Sequence, residues 1–75
     1  FNSTIAINYQ IPEPADVRLK VYDMCGRVMA TLVNETQNTG KYRATWDAVT
    51  FPAGLYFVRM KAGTFTAAKK ITLLK

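Results

Sequence analysis

Apolar side chains return at every second position in short runs along this chain, and each run closes on Gly, Pro, Asn or Asp before the next begins. A period of two marks a strand with one face in a core, and no stretch carries the 3.6-residue period of a helix. Ile5, Ile7, Tyr9 and Ile11 alternate with Thr4, Ala6, Asn8 and Gln10 until Pro12-Glu13-Pro14-Ala15-Asp16 ends the run. Val17, Leu19 and Val21 share one face, which Val28, Ala30 and Leu32 are expected to continue. Between them lies Asp23-Met24-Cys25-Gly26-Arg27. Its Asp can bond back to the main chain and its Gly can take a positive φ, so the sequence predicts a hairpin of 17–23 on 27–33.

The polar stretch Asn34 to Gly40 reads as a surface loop. Beyond it Tyr42, Ala44 and Trp46 point one way, with Trp46 the core anchor because an indole offers one of the largest apolar areas available. Ala48 to Gly54 is a connection, Tyr56, Val58 and Met60 face the core, and Ala62-Gly63 returns the chain tightly into 64–74. There Phe65, Ile71 and Leu73 share a phase with Lys69. A bulge between Ala67 and Lys70 is the favoured way to keep Lys69 out of the core, the alternative being a Lys69 beside an open edge. Six or seven short strands predict an all-β chain, an antiparallel β-sandwich rather than a small barrel.

Seventy-five residues make a single domain, 1–75, which reads as excised from a longer protein because it opens on Phe1 beside a strand. A core of this size rarely supplies more than about 3–5 kcal/mol. The single Cys25 offers no internal disulfide, and no run approaches the roughly 20 apolar residues of a membrane helix. Ten basic against five acidic side chains give a net charge of +5, which favours anionic partners without choosing among them.

Catalysis finds no support. There is no histidine, the acids Glu13, Asp16, Asp23, Glu35 and Asp47 are scattered over turns and loops, and Cys25 has only Arg27 near it. No enzyme, cofactor or metal site is expected; Asp23 and Asp47 read as turn formers, and Cys25 as a tolerated turn residue. Arg18 with Lys20, Lys41 with Arg43, and Arg59 with Lys61 lie on outward strand faces shared by Tyr22 and Phe57. Such a pattern of basic groove and aromatics can bind single-stranded nucleic acid, but the same faces keep an edge soluble, and without a repeated aromatic motif the solubilising reading is favoured.

Val21-Tyr22-Asp23-x-x-Gly26-Arg27, Thr31-Leu32-Val33, Gly40, Trp46-Asp47, Gly54-Leu55-Tyr56-Phe57 and the closing Lys69-Lys70-Ile71-Thr72-Leu73-Leu74-Lys75 follow one another in a distinctive order. This series resembles the type A C-terminal sorting domain of proteins exported by the type IX, or Por, secretion system, and covers nearly the whole chain. Its sandwich style is also similar to the immunoglobulin-like part of the flagellar hook-capping protein. The resemblance implies an immunoglobulin-like fold at the C-terminus of an upstream cargo domain, and a noncatalytic address read by an outer-membrane translocon. It further implies removal by a sortase-like peptidase and a secreted or cell-surface destination after periplasmic transit. It assigns recognition only to the terminal segment, Lys69, Lys70, Ile71, Leu73, Leu74 and Lys75; Asp23, Gly26, Arg27 and Gly54 make up the turn motif, and Trp46 and Tyr56 are the core anchor by their own chemistry. An accessory carbohydrate-binding or spacer module of a secreted hydrolase is the alternative, with Tyr22 or Phe57 as the aromatic platform. Self-association through an open edge strand is a further expectation.

Overall fold

A computed structural model describes residues 4–74. It has six strands: β1 (Thr4–Ile11), β2 (Ala15–Tyr22), β3 (Val28–Gln37), β4 (Gly40–Asp47), β5 (Gly54–Ala62) and β6 (Phe65–Leu73). All pair antiparallel, in a two-stranded sheet of order β1-β4 and a four-stranded sheet of order β3-β2-β5-β6. The described residues form a small all-β sandwich, with no helix among them. Among the described residues no helix is long and apolar enough to cross a membrane.

The alternation sets the layers. Val17, Leu19 and Val21 of β2 and Tyr56, Val58 and Met60 of β5 are buried against Ile11, Ala44 and Trp46 of the smaller sheet, while their even or odd neighbours stay outside. No polar or charged residue is buried among the described residues. Tyr9 and Tyr42, register partners on β1 and β4, stack at 5.5 Å between ring centroids. The Tyr9 hydroxyl donates to Gln37 Oε1 at 2.9 Å, and burial raises its pKa above that of a free phenol.

Three sequence expectations change. Ala30, opposite Val21, keeps to the core side as expected, but β3 carries register shifts that leave Leu32 and Met29 as extra residues. Each extra residue reverses the phase beyond it, so Val28 lands opposite Tyr22 on the outer face and is 50% exposed. Residues 34–37 are strand rather than loop. Their polarity belongs to an edge strand open to water, where Thr36 Oγ1 donates to Asp16 Oδ1 at 2.6 Å from the register position opposite it.

The third change concerns β6. Its pairing with β5 runs without a shift from Gly54↔Leu73 to Ala62↔Phe65, so the expected bulge between Ala67 and Lys70 does not occur. Lys69 keeps phase with Ile71 and Leu73 and stands opposite Val58. It needs no bulge because two strands cannot roof four. Between β1 and β6 an open groove of about 290 Å³, lined by Ile7, Tyr9, Met60 and Ala67 among others, gives the Lys69 side chain a way to water.

Candidate functional site

The terminal strand and the Gly54-Leu55-Tyr56-Phe57 motif are two sides of one hairpin. Gly54 pairs with Leu73, Leu55 with Thr72, Tyr56 with Ile71, Phe57 with Lys70 and Val58 with Lys69. Its link is Gly63-Thr64, where Gly63 has φ 62°, in the left-handed region that suits glycine. Along β6 the burial is graded. Lys69 and Lys70 are exposed, Ile71 is half-buried, Leu73 is buried, and Leu74 is 75% exposed. Lys75 lies outside the described residues. The strand therefore anchors by Ile71 and Leu73 and shows its two lysines on opposite faces of an open sheet edge.

The turn motif comes to the same end of the molecule. Asp23, Met24 and Cys25 line one shallow cleft with Ala53, Gly54, Leu55 and Tyr56, about 210 Å³ in volume. Gly26 has φ 84°, and its N–H donates to the Asp23 carbonyl at 3.1 Å to close the turn. Asp23 Oδ1 accepts from the backbone N–H of Cys25 and of Arg27, both at 2.9 Å, and Oδ2 accepts from Arg27 Nε at 2.8 Å. These bonds, the Arg27 N–H foremost, hold the Asp23 carboxyl below its usual pKa. Arg27 is thereby a clasp on the turn. Cys25 is an exposed free thiol on the same loop.

Beneath this end lies the aromatic cluster. Trp46 is 2% exposed, and its ring centroid is 5.2 Å from those of both Phe51 and Tyr56. Tyr56 in turn donates its hydroxyl to the Pro52 carbonyl at 2.7 Å, four residues upstream, so the ring that packs on the indole also ties down the loop. Tyr42 makes the same kind of bond to the Asn38 carbonyl at 2.6 Å. Trp46 Nε1 has no hydrogen-bond partner among the described residues. Of the predicted residues, the structure thus gathers Asp23, Gly26, Arg27, Gly54, Trp46, Tyr56, Ile71 and Leu73 at one end. Lys69 and Lys70 stand farther along β6. Phe51 is the member that sequence reading missed, since nothing in a loop residue's own neighbours announces a tertiary ring contact.

The basic pairs also sort themselves. β2 pairs with β5, so Arg18 stands opposite Lys61 and Lys20 opposite Arg59 on one outer face, while Lys41 and Arg43 are on β4 in the other sheet. Among the described residues no group of three or more His, Cys, Asp or Glu side chains is placed to hold a metal.

One comparison with known proteins decides the assignment. The family model for the secretion system C-terminal sorting domain matches residues 1–74. The chain belongs to that family. It is a C-terminal sorting signal for type IX secretion, of the kind that marks proteins for the cell surface or the exterior. No curated protein and no solved structure matches the chain.

The turn of this sorting domain offers a test of the Asp23 contacts. The folded-state carboxyl has the lower pKa, so its contribution to stability is complete above the usual carboxylate range and disappears as pH falls through the depressed value. Asp23→Asn keeps an acceptor for the two N–H groups but removes the charge. Its melting temperature should equal that of the wild type in strong acid and fall behind it as pH rises past the usual carboxylate range. Thermal unfolding followed from about pH 2 to about pH 7 checks this. Parallel curves with a constant offset would contradict it.

Proposed function

We propose that the chain directs an attached upstream cargo through the outer-membrane type IX machinery without catalysing anything itself, and that the machinery reads the edge strand β6. The observation that carries this reading is the graded burial of the terminal segment: Ile71 and Leu73 fix the strand, while Lys69, Lys70 and Leu74 remain accessible on its free side. An edge strand with unpaired backbone groups is the natural acceptor for an added strand of another protein, and alternate side chains then supply specificity. Turn residues Asp23, Gly26, Arg27 and Gly54 act by holding the end of the hairpin in shape. Trp46 and Tyr56 act by packing beneath it. Lys75 extends the same basic segment, and a sortase-like peptidase acting after passage completes the proposed route.

The test is a fusion of residues 1–75 to a periplasmic reporter in a type IX-competent bacterium. The intact fusion should reach the cell surface or medium, and a fusion with β6 removed should be retained in the periplasm. Export of the shortened fusion at the intact level would refute a reading of β6.

A further inference from the structure

We propose that the outer face of the four-stranded sheet binds an acidic polysaccharide. This goes beyond the sorting reading and borrows from it only the cell-surface destination, where such polymers are met.

The face is an array of like charges. Arg18 stands directly opposite Lys61, and Lys20 directly opposite Arg59, in two consecutive outward rows of the β2-β5 ladder. Neighbouring strands lie about 4.8 Å apart and outward rows about 7 Å apart, so four cations occupy a patch a few ångströms on a side. Like charges directly opposite one another destabilise a sheet. The flanking strands do not relieve them. Asn34 and Thr31 stand beside Arg18 and Lys20, and Thr66 and Ala68 beside Lys61 and Arg59. None of the four cations forms an ion pair among the described residues. The acid of this face among the described residues is Asp16, one row beyond Arg18 and Lys61 and lining a hollow of about 220 Å³ with them; Thr36 Oγ1 already donates to its carboxylate at 2.6 Å, and it forms no ion pair with either cation.

The third row is apolar and aromatic. Val28, Tyr22 and Phe57 follow one another across β3, β2 and β5, ending on Lys70 of β6. Phe57 is 38% exposed and Val28 50%. Arg18, Lys20, Tyr22, Arg59 and Lys61 enclose a hollow of about 220 Å³, room for one or two anionic groups with an aromatic wall beside them. A flat strip with rings at one end and guanidinium and ammonium groups along it matches a chain of sugars carrying carboxylates: a ring face stacks on the aromatic row while the acid groups meet Arg and Lys. A phospholipid surface also takes up cations and rings, and the vesicle arm of the test below separates it from the polysaccharide. A second copy, itself carrying +5, is repelled.

Isotope-labelled chain titrated with an oligogalacturonate, with the neutral oligogalactose, with phosphatidylglycerol vesicles and with an oligothymidylate tests the assignment. Amide shifts should appear at Arg18, Lys20, Tyr22, Phe57, Arg59 and Lys61 with the oligogalacturonate and not at Lys41 or Arg43. Arg59→Gln and Lys61→Gln should each weaken binding about fivefold, a typical value for one cation at an anionic surface. Lys20→Glu should weaken binding yet raise the melting temperature, since it converts a repelling pair with Arg59 into an attracting one. Absence of binding, shifts of equal size on the Lys41 and Arg43 face, or tighter binding to vesicles or to the oligothymidylate overturns the proposal, as does a Lys20→Glu chain that melts lower. Because binding is read on purified chain, its failure is separate from failure of export. Arg59→Gln and Lys61→Gln fusions should be exported normally.

Discussion

Trp46→Ala should leave the chain unfolded in water at room temperature. Removing a buried Trp costs about 3–5 kcal/mol, through lost apolar burial and the cavity left behind. A core of this size supplies about that much in total. The loss is concentrated because Trp46 joins three parts at one point: its ring meets Phe51 in the 48–53 connection and Tyr56 at the start of β5, from a strand belonging to the other sheet. Trp46→Phe is the informative companion. The indole N–H is buried with no acceptor among the described residues, so Phe loses packing area but also removes an unsatisfied donor, and about 1–2 kcal/mol is expected. Urea unfolding followed by circular dichroism distinguishes the two, since the chain has a single Trp and the tryptophan fluorescence is lost with it. A cooperative transition in Trp46→Ala at the wild-type midpoint would show that the rings are not what holds the sheets together.

Much of this arrangement is legible in the sequence wherever one face of a strand is covered along its length. Val17, Leu19 and Val21, then Tyr42, Ala44 and Trp46, then Tyr56, Val58 and Met60 all alternate as they pack, because a one-residue slip would put every one of them in water. Legibility fails at the edges. β3 hides its two extra residues because Met29 and Leu32 are apolar and fit either face, and its polar end reads as loop because an edge strand has no need of apolar side chains there. β6 misleads in the opposite sense. Lys69 in an apolar phase looks like a register fault, yet it only reports that the smaller sheet does not reach that far. The hairpin between the terminal segment and Gly54-Leu55-Tyr56-Phe57 follows from their order, and so could be read. The meeting of Arg18 and Lys20 with Lys61 and Arg59 could not, because β2 and β5 are far apart in the chain and only the sheet order makes them neighbours.

Lys69→Glu combined with Lys70→Glu should abolish export while the domain folds as before. Both side chains are exposed, neither forms an ion pair among the described residues, and neither belongs to the buried cluster, so the change in stability should stay within about 0.5 kcal/mol. If a partner presents acidic groups to them, reversal sets like charge against like and costs several kcal/mol of recognition, on the order of a hundredfold or more. The geometry sharpens the expectation. Adjacent residues on a strand point to opposite faces, so Lys69 opens toward the β1-β6 groove and Lys70 toward the outer face beside Phe57. Only a partner that grips the strand edge from both sides touches both, which is the contact that strand addition creates. Each single reversal should then lower export, and the pair should lower it further than either. Melting curves matching the wild type alongside reporter retained in the periplasm would support this reading. Full export of the double reversal would remove the lysines from it, and loss from Lys70→Glu alone would move the contact from the strand edge to the outer face.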